Sequence, residues 1–414
     1  MKQVLVVEDS AVVLKVIRHV FSQSPHIKAH YAENFAEAKT LLANGTPWFA
    51  AVVDLSLPDA PNGEIVDFAL QHRLPTLVLT GSFNEEKREL LLSKGIVDYV
   101  TKEGRYSYEY ALSVVHRLIN NLNTRILVVD DSVTSRKVLC NLLRRQLYQV
   151  LEAEDGVQAI KILLENHDIK LLITDYNMPR MDGFELVKNL RVKYEKGDLV
   201  IIGVSSEGEA MLSARFIKAG ANDFLKKPFN YEEFHCRVTA NVEMIELIER
   251  LRDAANRDEL TGTYSRRYFF QQADRSYQEA NAKNAAVSLA VLDLDDFMEV
   301  NARYGNELGD KLMQRVCKRL IALFDKFLLA RAGGQEFYVL LPGLPNEKAV
   351  AFLERIRQII AAESFEVDEH SLSLTFSAGV SSEFGDNLDA LVCNAEKCLL
   401  RAKEAGGDLV FGDD

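Results

Sequence analysis

The sequence predicts an α/β protein: two copies of a doubly wound parallel-sheet domain, a connecting helix and a third α/β domain. Three observations carry that prediction. Four short motifs recur in the same order, at an offset of 121 to 125 residues, between positions 4 and 227. Within each copy, strand-like apolar runs alternate with amphipathic stretches such as Phe35 to Leu42 and Gly156 to Leu164, the pattern of parallel strands joined by helical crossovers. Beyond the repeat, Gly333-Gly334 lies between the apolar runs Phe327-Leu328-Leu329 and Tyr338-Val339-Leu340-Leu341, which reads as a hairpin with a tight Gly-Gly turn.

The repeat opens with Val4-Leu5-Val6-Val7-Glu8-Asp9-Ser10 against Ile126-Leu127-Val128-Val129-Asp130-Asp131-Ser132, an apolar run closed by two acids and a serine. Ala51-Val52-Val53-Asp54 then matches Leu172-Ile173-Thr174-Asp175, and Val78-Leu79-Thr80 matches Gly203-Val204-Ser205. The last pair is Tyr99-Val100-Thr101-Lys102 and Phe224-Leu225-Lys226-Lys227. Every matched polar residue ends a strand, and in doubly wound sheets functional groups gather at the carboxyl ends of the strands. A lone Asp there is usually a turn residue or a helix cap. An acidic pair, an Asp, a hydroxyl and a lysine recurring as a set point instead to phosphoryl chemistry. A carboxylate accepts a phosphoryl group when Mg²⁺ neutralises the incoming charge, two further acids hold the ion, and a lysine and a hydroxyl bind the new phosphoryl oxygens.

On these motifs, both copies resemble the receiver domain of two-component response regulators, a flavodoxin-like fold. The resemblance implies that Asp54 and Asp175 accept phosphate from a sensor histidine kinase or a phosphotransfer protein. It implies that Mg²⁺ is held by Glu8, Asp9 and Asp54 in one copy and by Asp130, Asp131 and Asp175 in the other. Thr80, Lys102, Ser205 and Lys227 would sense the phosphate, and Tyr99 and Phe224 match the aromatic switch position. The second copy follows the pattern more closely, with Met178-Pro179-Arg180-Met181-Asp182-Gly183 and Lys227-Pro228. The first has Lys102-Glu103 and a one-residue-longer loop through Pro58-Asp59-Ala60-Pro61-Asn62-Gly63.

After the repeat, Phe234, Val238, Val242, Ile245, Ile248 and Leu251 recur at spacings of three and four, one face of a helix. Glu243, Glu246, Glu249, Arg250 and Arg252 suit a solvated opposite face. The expected division is 1–122, 123–243, a linker helix 244–256 able to pair with its twin in a homodimer, and 257–414.

The third segment carries Asp258-Glu259-Leu260-Thr261-Gly262 with Arg266-Arg267-Tyr268-Phe269, then the run Ser288 to Leu292 ending in Asp293-Leu294-Asp295-Asp296-Phe297, and finally Gly333-Gly334-Gln335-Glu336-Phe337. These motifs resemble the GGDEF family, which condenses two GTP into cyclic di-GMP on an α/β domain with a mostly antiparallel sheet. The resemblance implies metal ligation by Asp293 and the Leu294 carbonyl, guanine contacts from Asn301 and Asp310, close phosphate approach at Gly333 and Gly334, and a phosphate contact from Lys403, with Mg²⁺ and GTP as ligands.

The segment also departs from the family. Gln335 stands where the family has a metal-binding Asp or Glu, and an amide neither carries charge nor acts as a base. Met298 replaces a phosphate-stabilising Lys and Gly407 an Arg; Ala302 and Asn306 replace an Asp and a His. Phe324-Asp325-Lys326-Phe327 lacks both defining residues of the product-inhibition motif. Losing one carboxylate and two cations costs about 10³-fold or more in rate. The pattern points to a phosphorylation-controlled regulator whose output domain binds GTP or a protein partner without turning GTP over. The alternative is an active diguanylate cyclase switched on by receiver phosphorylation and dimerisation.

Composition bounds the rest. The 414 residues are 48% hydrophobic and 27% charged with a net charge of −12, which disfavours a nucleic-acid partner. The five cysteines are scattered, as expected for reduced thiols. No signal-peptide pattern opens the sequence, and no apolar run approaches the roughly 20 residues that span a bilayer. A cytoplasmic protein without a membrane partner is expected.

Overall fold

The computed structural model describes residues 1–206, 210–283, 285–382 and 387–413. The chain divides into two compact units, Met1–Leu247 and Ile248–Asp414.

The first unit holds two sheets of the same design. In the N-terminal domain, β1 (Lys2–Val7), β2 (Ile27–Ala32), β3 (Trp48–Asp54), β4 (Thr76–Thr80) and β5 (Asp98–Thr101) alternate with α1 (Ala11–Ser22), α2 (Phe35–Ala43), α3 (Glu64–Gln71), α4 (Glu85–Lys94) and α5 (Arg105–Asn121). Their order is β2-β1-β3-β4-β5, all parallel. In the second domain β6 (Arg125–Val129), β7 (Gln149–Ala153), β8 (Ile169–Asp175), β9 (Val200–Ser205) and β10 (Asp223–Lys226) alternate with α6 (Val133–Arg145), α7 (Gly156–Glu165), α8 (Gly183–Lys193), α9 (Ala210–Ala219) and α10 (Tyr231–Asn256). Its order, β7-β6-β8-β9-β10, repeats the first. The central strands read as continuous apolar runs because helices cover both faces; Val4 to Val7 and Ile126 to Val129 are fully buried. The strand order reverses beside β1 and β6, so the carboxyl ends of β1, β3, β6 and β8 open onto the crevices where such folds place their chemistry.

The apolar spacing from Phe234 to Leu251 falls on a single helix, α10. The last helix of the second domain and residues 244–256 are one unbroken helix. Phe234, Val238, Val242 and Ile245 are buried, whereas Leu251 is 62% exposed, so the apolar face outlasts its cover.

The second unit is built on a six-stranded sheet, β11-β13-β14-β12-β17-β18. Its elements are β11 (Tyr264–Ser265), α11 (Arg266–Lys283), β12 (Val287–Leu294), α12 (Phe297–Tyr304), α13 (Asn306–Leu323), β13 (Leu328–Gly333), β14 (Glu336–Pro342), α14 (Asn346–Ala361), β15 (Ser364–Val367), β16 (His370–Ser373), β17 (Phe376–Ser381), α15 (Leu388–Glu404) and β18 (Val410–Phe411). The inner pairs are antiparallel, and β11 and β18 add in parallel at the edges. The hairpin forms, but its register differs from the expected Gly-Gly turn. Gly333 pairs with Glu336, so Gly334 and Gln335 make the turn. Gly334 takes the left-handed backbone, φ +52°, which a side chain disfavours, and Gln335 is placed at the tip.

Candidate functional site

In the N-terminal domain the strand ends converge as the sequence predicts. Lys102 Nζ lies 2.6 Å from Glu8 Oε2 and 2.6 Å from Asp54 Oδ2. Glu8 and Asp54 are buried while Asp9 is exposed, and the three acids each place a ligand atom within 4.8 Å of the others. That donor set fits an oxygen-loving divalent cation. Burial raises the Glu8 pKa against the opposing pull of Lys102, and the nearby Asp54 raises it further. A carboxylate cluster of this kind is relieved by a cation.

In the second domain Lys227 Nζ lies 2.7 Å from Asp175 Oδ1 and 2.9 Å from Asp130 Oδ2. Burial tends to lower the Lys227 pKa, but the two carboxylates outweigh it and hold it up. Burial raises that of Asp175, with Asp130 adding to the rise. Asp131 is exposed. The oxygen donors fit Mg²⁺ here too. Among the described residues, however, Asp130, Asp131 and Asp175 do not close to the mutual spacing reached by Glu8, Asp9 and Asp54. The copy whose sequence follows the motif more closely has the less assembled acids.

The hydroxyl and aromatic positions also fall at these edges. Thr80 Oγ1 donates to the Ser82 carbonyl at 3.1 Å, and the buried Tyr99 donates its hydroxyl to the same carbonyl at 3.2 Å. The loop after β4 is thus tied to both. Ser205 is buried at the end of β9. Phe224 packs against Phe216 at 5.5 Å between ring centroids.

The third domain has a cavity of about 470 Å³ lined by Asp293 to Glu299, Gln335, Thr375, Lys403 and Gly406 to Asp408. Strand β12 delivers Asp293 and Leu294 to its floor, and the turn brings in Gln335. Lys403, on α15, does not stand free for phosphate: its Nζ lies 2.8 Å from Asp293 Oδ2. The Asp293 carboxylate, raised by burial, is also stabilised by the Gln335 amide. Glu336 faces Asp293 in register across β12 and β14; burial and then Asp293 raise its pKa. Asp295 accepts from Thr375 and Ser377, each at 2.7 Å. Met298 is 71% exposed at the cavity's edge, and Gly407 has φ +78°, a backbone an arginine would strain. With a lysine and an amide on Asp293, the residues do not reproduce the acidic pair that the resemblance requires for Mg²⁺. Asn301 and Asp310 do not line this cavity; Asn301 lies one turn along α12 from it and packs against Gly309, beside the exposed Asp310. Gly333 and Gly334 are exposed at the hairpin tip.

A model of the diguanylate cyclase GGDEF domain matches residues 255–408, and one of the response regulator receiver domain matches residues 126–239. The chain is 42% identical to a two-component response regulator/GGDEF domain protein of solved structure, covering all of that chain and 59% of this one at a TM-score of 0.55. This chain belongs to the response regulators that join a receiver to a GGDEF domain. It is 26% identical over 306 residues to the response regulator PleD of Caulobacter vibrioides, covering 71% of this chain and 67% of PleD. It is 47% identical over 106 residues to a chemotaxis protein CheY homolog of Campylobacter jejuni, 25% of this chain and 82% of that protein. No helix among the described residues is long and apolar enough to cross a membrane.

Several contacts of this response regulator escape sequence reasoning. Glu243 and Glu246 are not merely solvated: Arg117 of α5 binds them at 3.0 and 2.9 Å. Tyr231 Oη and Gln146 Nε2 both donate to the Val97 carbonyl, at 2.9 and 3.1 Å, and Arg88 pairs with Glu232. The second domain therefore rests on α4, β5 and α5 of the first. In the GGDEF domain Arg331 binds the Gly334 carbonyl at 2.8 Å and Asp258 at 3.1 Å, tying the turn to the entry motif. The only signal for this last pair is an arginine just before the glycines.

Proposed function

We propose that both α/β domains are receivers and that they govern a GGDEF output that does not cyclise GTP at a useful rate. In this reading a carboxylate oxygen of Asp54 or Asp175 bonds to phosphorus as the donor's P–N bond, from a histidine kinase or phosphotransfer protein, breaks. Glu8, Asp9 and Asp54, or Asp130, Asp131 and Asp175, would hold Mg²⁺, which would supply charge neutralisation. Lys102 and Lys227, already on the acceptor carboxylates, move to the new phosphoryl oxygens. Thr80 and Tyr99 share the Ser82 carbonyl, so a hydroxyl drawn toward phosphate releases one tie on the loop after β4. The contacts of the second domain on α4, β5 and α5 give the chain a route from that loop to α10.

The observation that carries the reading of the output is the Lys403–Asp293 pair at 2.8 Å beside Gln335. It supports a site whose remaining metal ligand is already balanced by a lysine. The output then works by binding, to GTP or to a protein partner, within a homodimer. Calorimetry with GTP on the full chain tests it: binding without accumulating product fits a nucleotide sensor, and no binding fits a protein-docking output. A second reading has one observation in its favour. Glu336 stands opposite Asp293 and offers the carboxylate that Gln335 lacks, which would leave an active cyclase. Steady formation of cyclic di-GMP from GTP, abolished by Glu336→Gln, would establish that alternative.

A further inference from the structure

The two strand-end clusters differ at the first acid, Glu8 against Asp130, and at one position of the helix that follows. Helices α1 and α6 begin identically: Ser10 and Ser132 both cap at φ −74° and ψ 110°, accepting from the backbone N–H of Val13 and of Ser135. Val13 and Ser135 are therefore equivalent, and each is half-buried. The Val13 side chain offers no polar atom. Ser135 Oγ donates to Asp130 Oδ2 at 2.5 Å and accepts from Lys227 Nζ at 2.8 Å. Lys227 donates to that same Oδ2 at 2.9 Å, while Asp130 Oδ1 takes the Ser132 N–H at 2.9 Å. Both oxygens of Asp130 are thus engaged by protein donors. In the first domain the corresponding Glu8 has Lys102 on one oxygen and only a long contact, 3.3 Å from the Ser10 N–H, on the other. Its site is the one whose acids already stand at ligand spacing.

We propose that Ser135 is a positioning residue that holds the Asp130 carboxylate against Lys227, so that the second receiver takes a divalent cation more weakly than the first. A cation must displace a charge-assisted hydrogen bond at Asp130 that has no counterpart beside Val13, which places the difference at about ten-fold in affinity. The second receiver is then the one whose occupancy follows the free Mg²⁺ concentration, and its phosphorylation lags the first as Mg²⁺ falls. The inference rests on both domains being receivers.

Direct Mn²⁺ binding to the full chain, read by electron paramagnetic resonance of the free ion, tests it without any turnover. Asp54→Asn and Asp175→Asn first assign the sites; if neither removes one, the receiver reading itself fails. With the sites assigned, Ser135→Val is expected to tighten the Asp175-dependent site about ten-fold and leave the other unchanged. Val13→Ser is expected to loosen the Asp54-dependent site. Ser135→Thr, which keeps the hydroxyl, should behave as wild type, and Ser135→Ala provides the same test should valine disturb the fold. An Asp175-dependent affinity that stays the same or weakens in both Ser135→Val and Ser135→Ala overturns the proposal.

Discussion

Lys227 on Asp175 and Lys403 on Asp293 are the same contact, 2.7 and 2.8 Å from ammonium to a strand-end carboxylate, in two regions with opposite prospects. Lys227 is held by two acids, Asp130 and Asp175, with the exposed Asp131 next in sequence, and Lys102 sits in the tighter cluster of Glu8, Asp9 and Asp54. The lysine leaves negative charge over, and a divalent ion is attracted. Around Lys403 the strand end offers Asp293, an Asp295 already taken up by Thr375 and Ser377, and Glu336, with an amide where the second acid of the family's pair belongs. The difference teaches that a lysine–aspartate pair at a strand end says little by itself. The charge of the next group decides whether the pair is a resting contact waiting for a metal or a substitute for one.

The comparison can be broken most severely at the acceptors. Asp54→Asn and Asp175→Asn should each remove one of two phosphorylation events from a small-molecule phosphodonor, and the double variant should remove both, read by intact mass. Retention of full labelling in either single variant would show that the receiver half of the comparison is wrong. Next in size is repair of the GGDEF half. Gln335→Glu with Met298→Lys restores a carboxylate and a cation, and should raise cyclic di-GMP formation by about 10²-fold or more over wild type. No gain would place the defect elsewhere, at Gly407 for example.

Two smaller effects sharpen how the two doubly wound domains are coupled. Arg117 and Glu246 are 14% and 15% exposed in their side chains, and Arg117→Ala removes this half-buried ion pair and the pair with Glu243. A loss of about 1–2 kcal/mol in unfolding free energy is expected from denaturant titration, with no change in the GGDEF site. His235, at the same junction, has its pKa driven down to about 4, by burial first and then by Arg117, against the pull of Glu232 and Glu243. The unfolded chain therefore binds a proton that the folded one refuses between about pH 6.5 and 4. Stability from this group is complete above pH 6.5 and declines as pH falls through that window, by roughly 1–2 kcal/mol after discounting for partial exposure. His235→Gln should flatten that slope; an unchanged slope would remove His235 from the account.

How much of this was legible follows from what each signal depends on. The strand-end cluster of the first domain could be read because Glu8, Asp54, Thr80 and Lys102 each end a strand, and topology alone brings strand ends together. The hairpin was legible from two apolar runs, but its turn lay one residue later than the glycines implied, since register is set by pairing with β12 and β13 rather than by the turn alone. Lys403 could not be placed, because its partner depends on how α15 packs over β12. Glu243 and Glu246 read as solvated because a polar helix face looks the same whether water or Arg117 meets it. Ser135 carries no signal at all in a single sequence: a hydroxyl in the first turn of a helix is ordinary until Asp130 and Lys227 are seen on either side of it.

The most direct test is the product of the full chain. The protein is incubated with GTP and Mg²⁺, with beryllofluoride to mimic phosphorylation of the receivers, and cyclic di-GMP is quantified by mass spectrometry against a Gly333→Ala, Gly334→Ala control. The account predicts no product above that control, with or without beryllofluoride. Cyclic di-GMP accumulating above it on addition of beryllofluoride would contradict the central claim and make this response regulator a phosphorylation-activated cyclase.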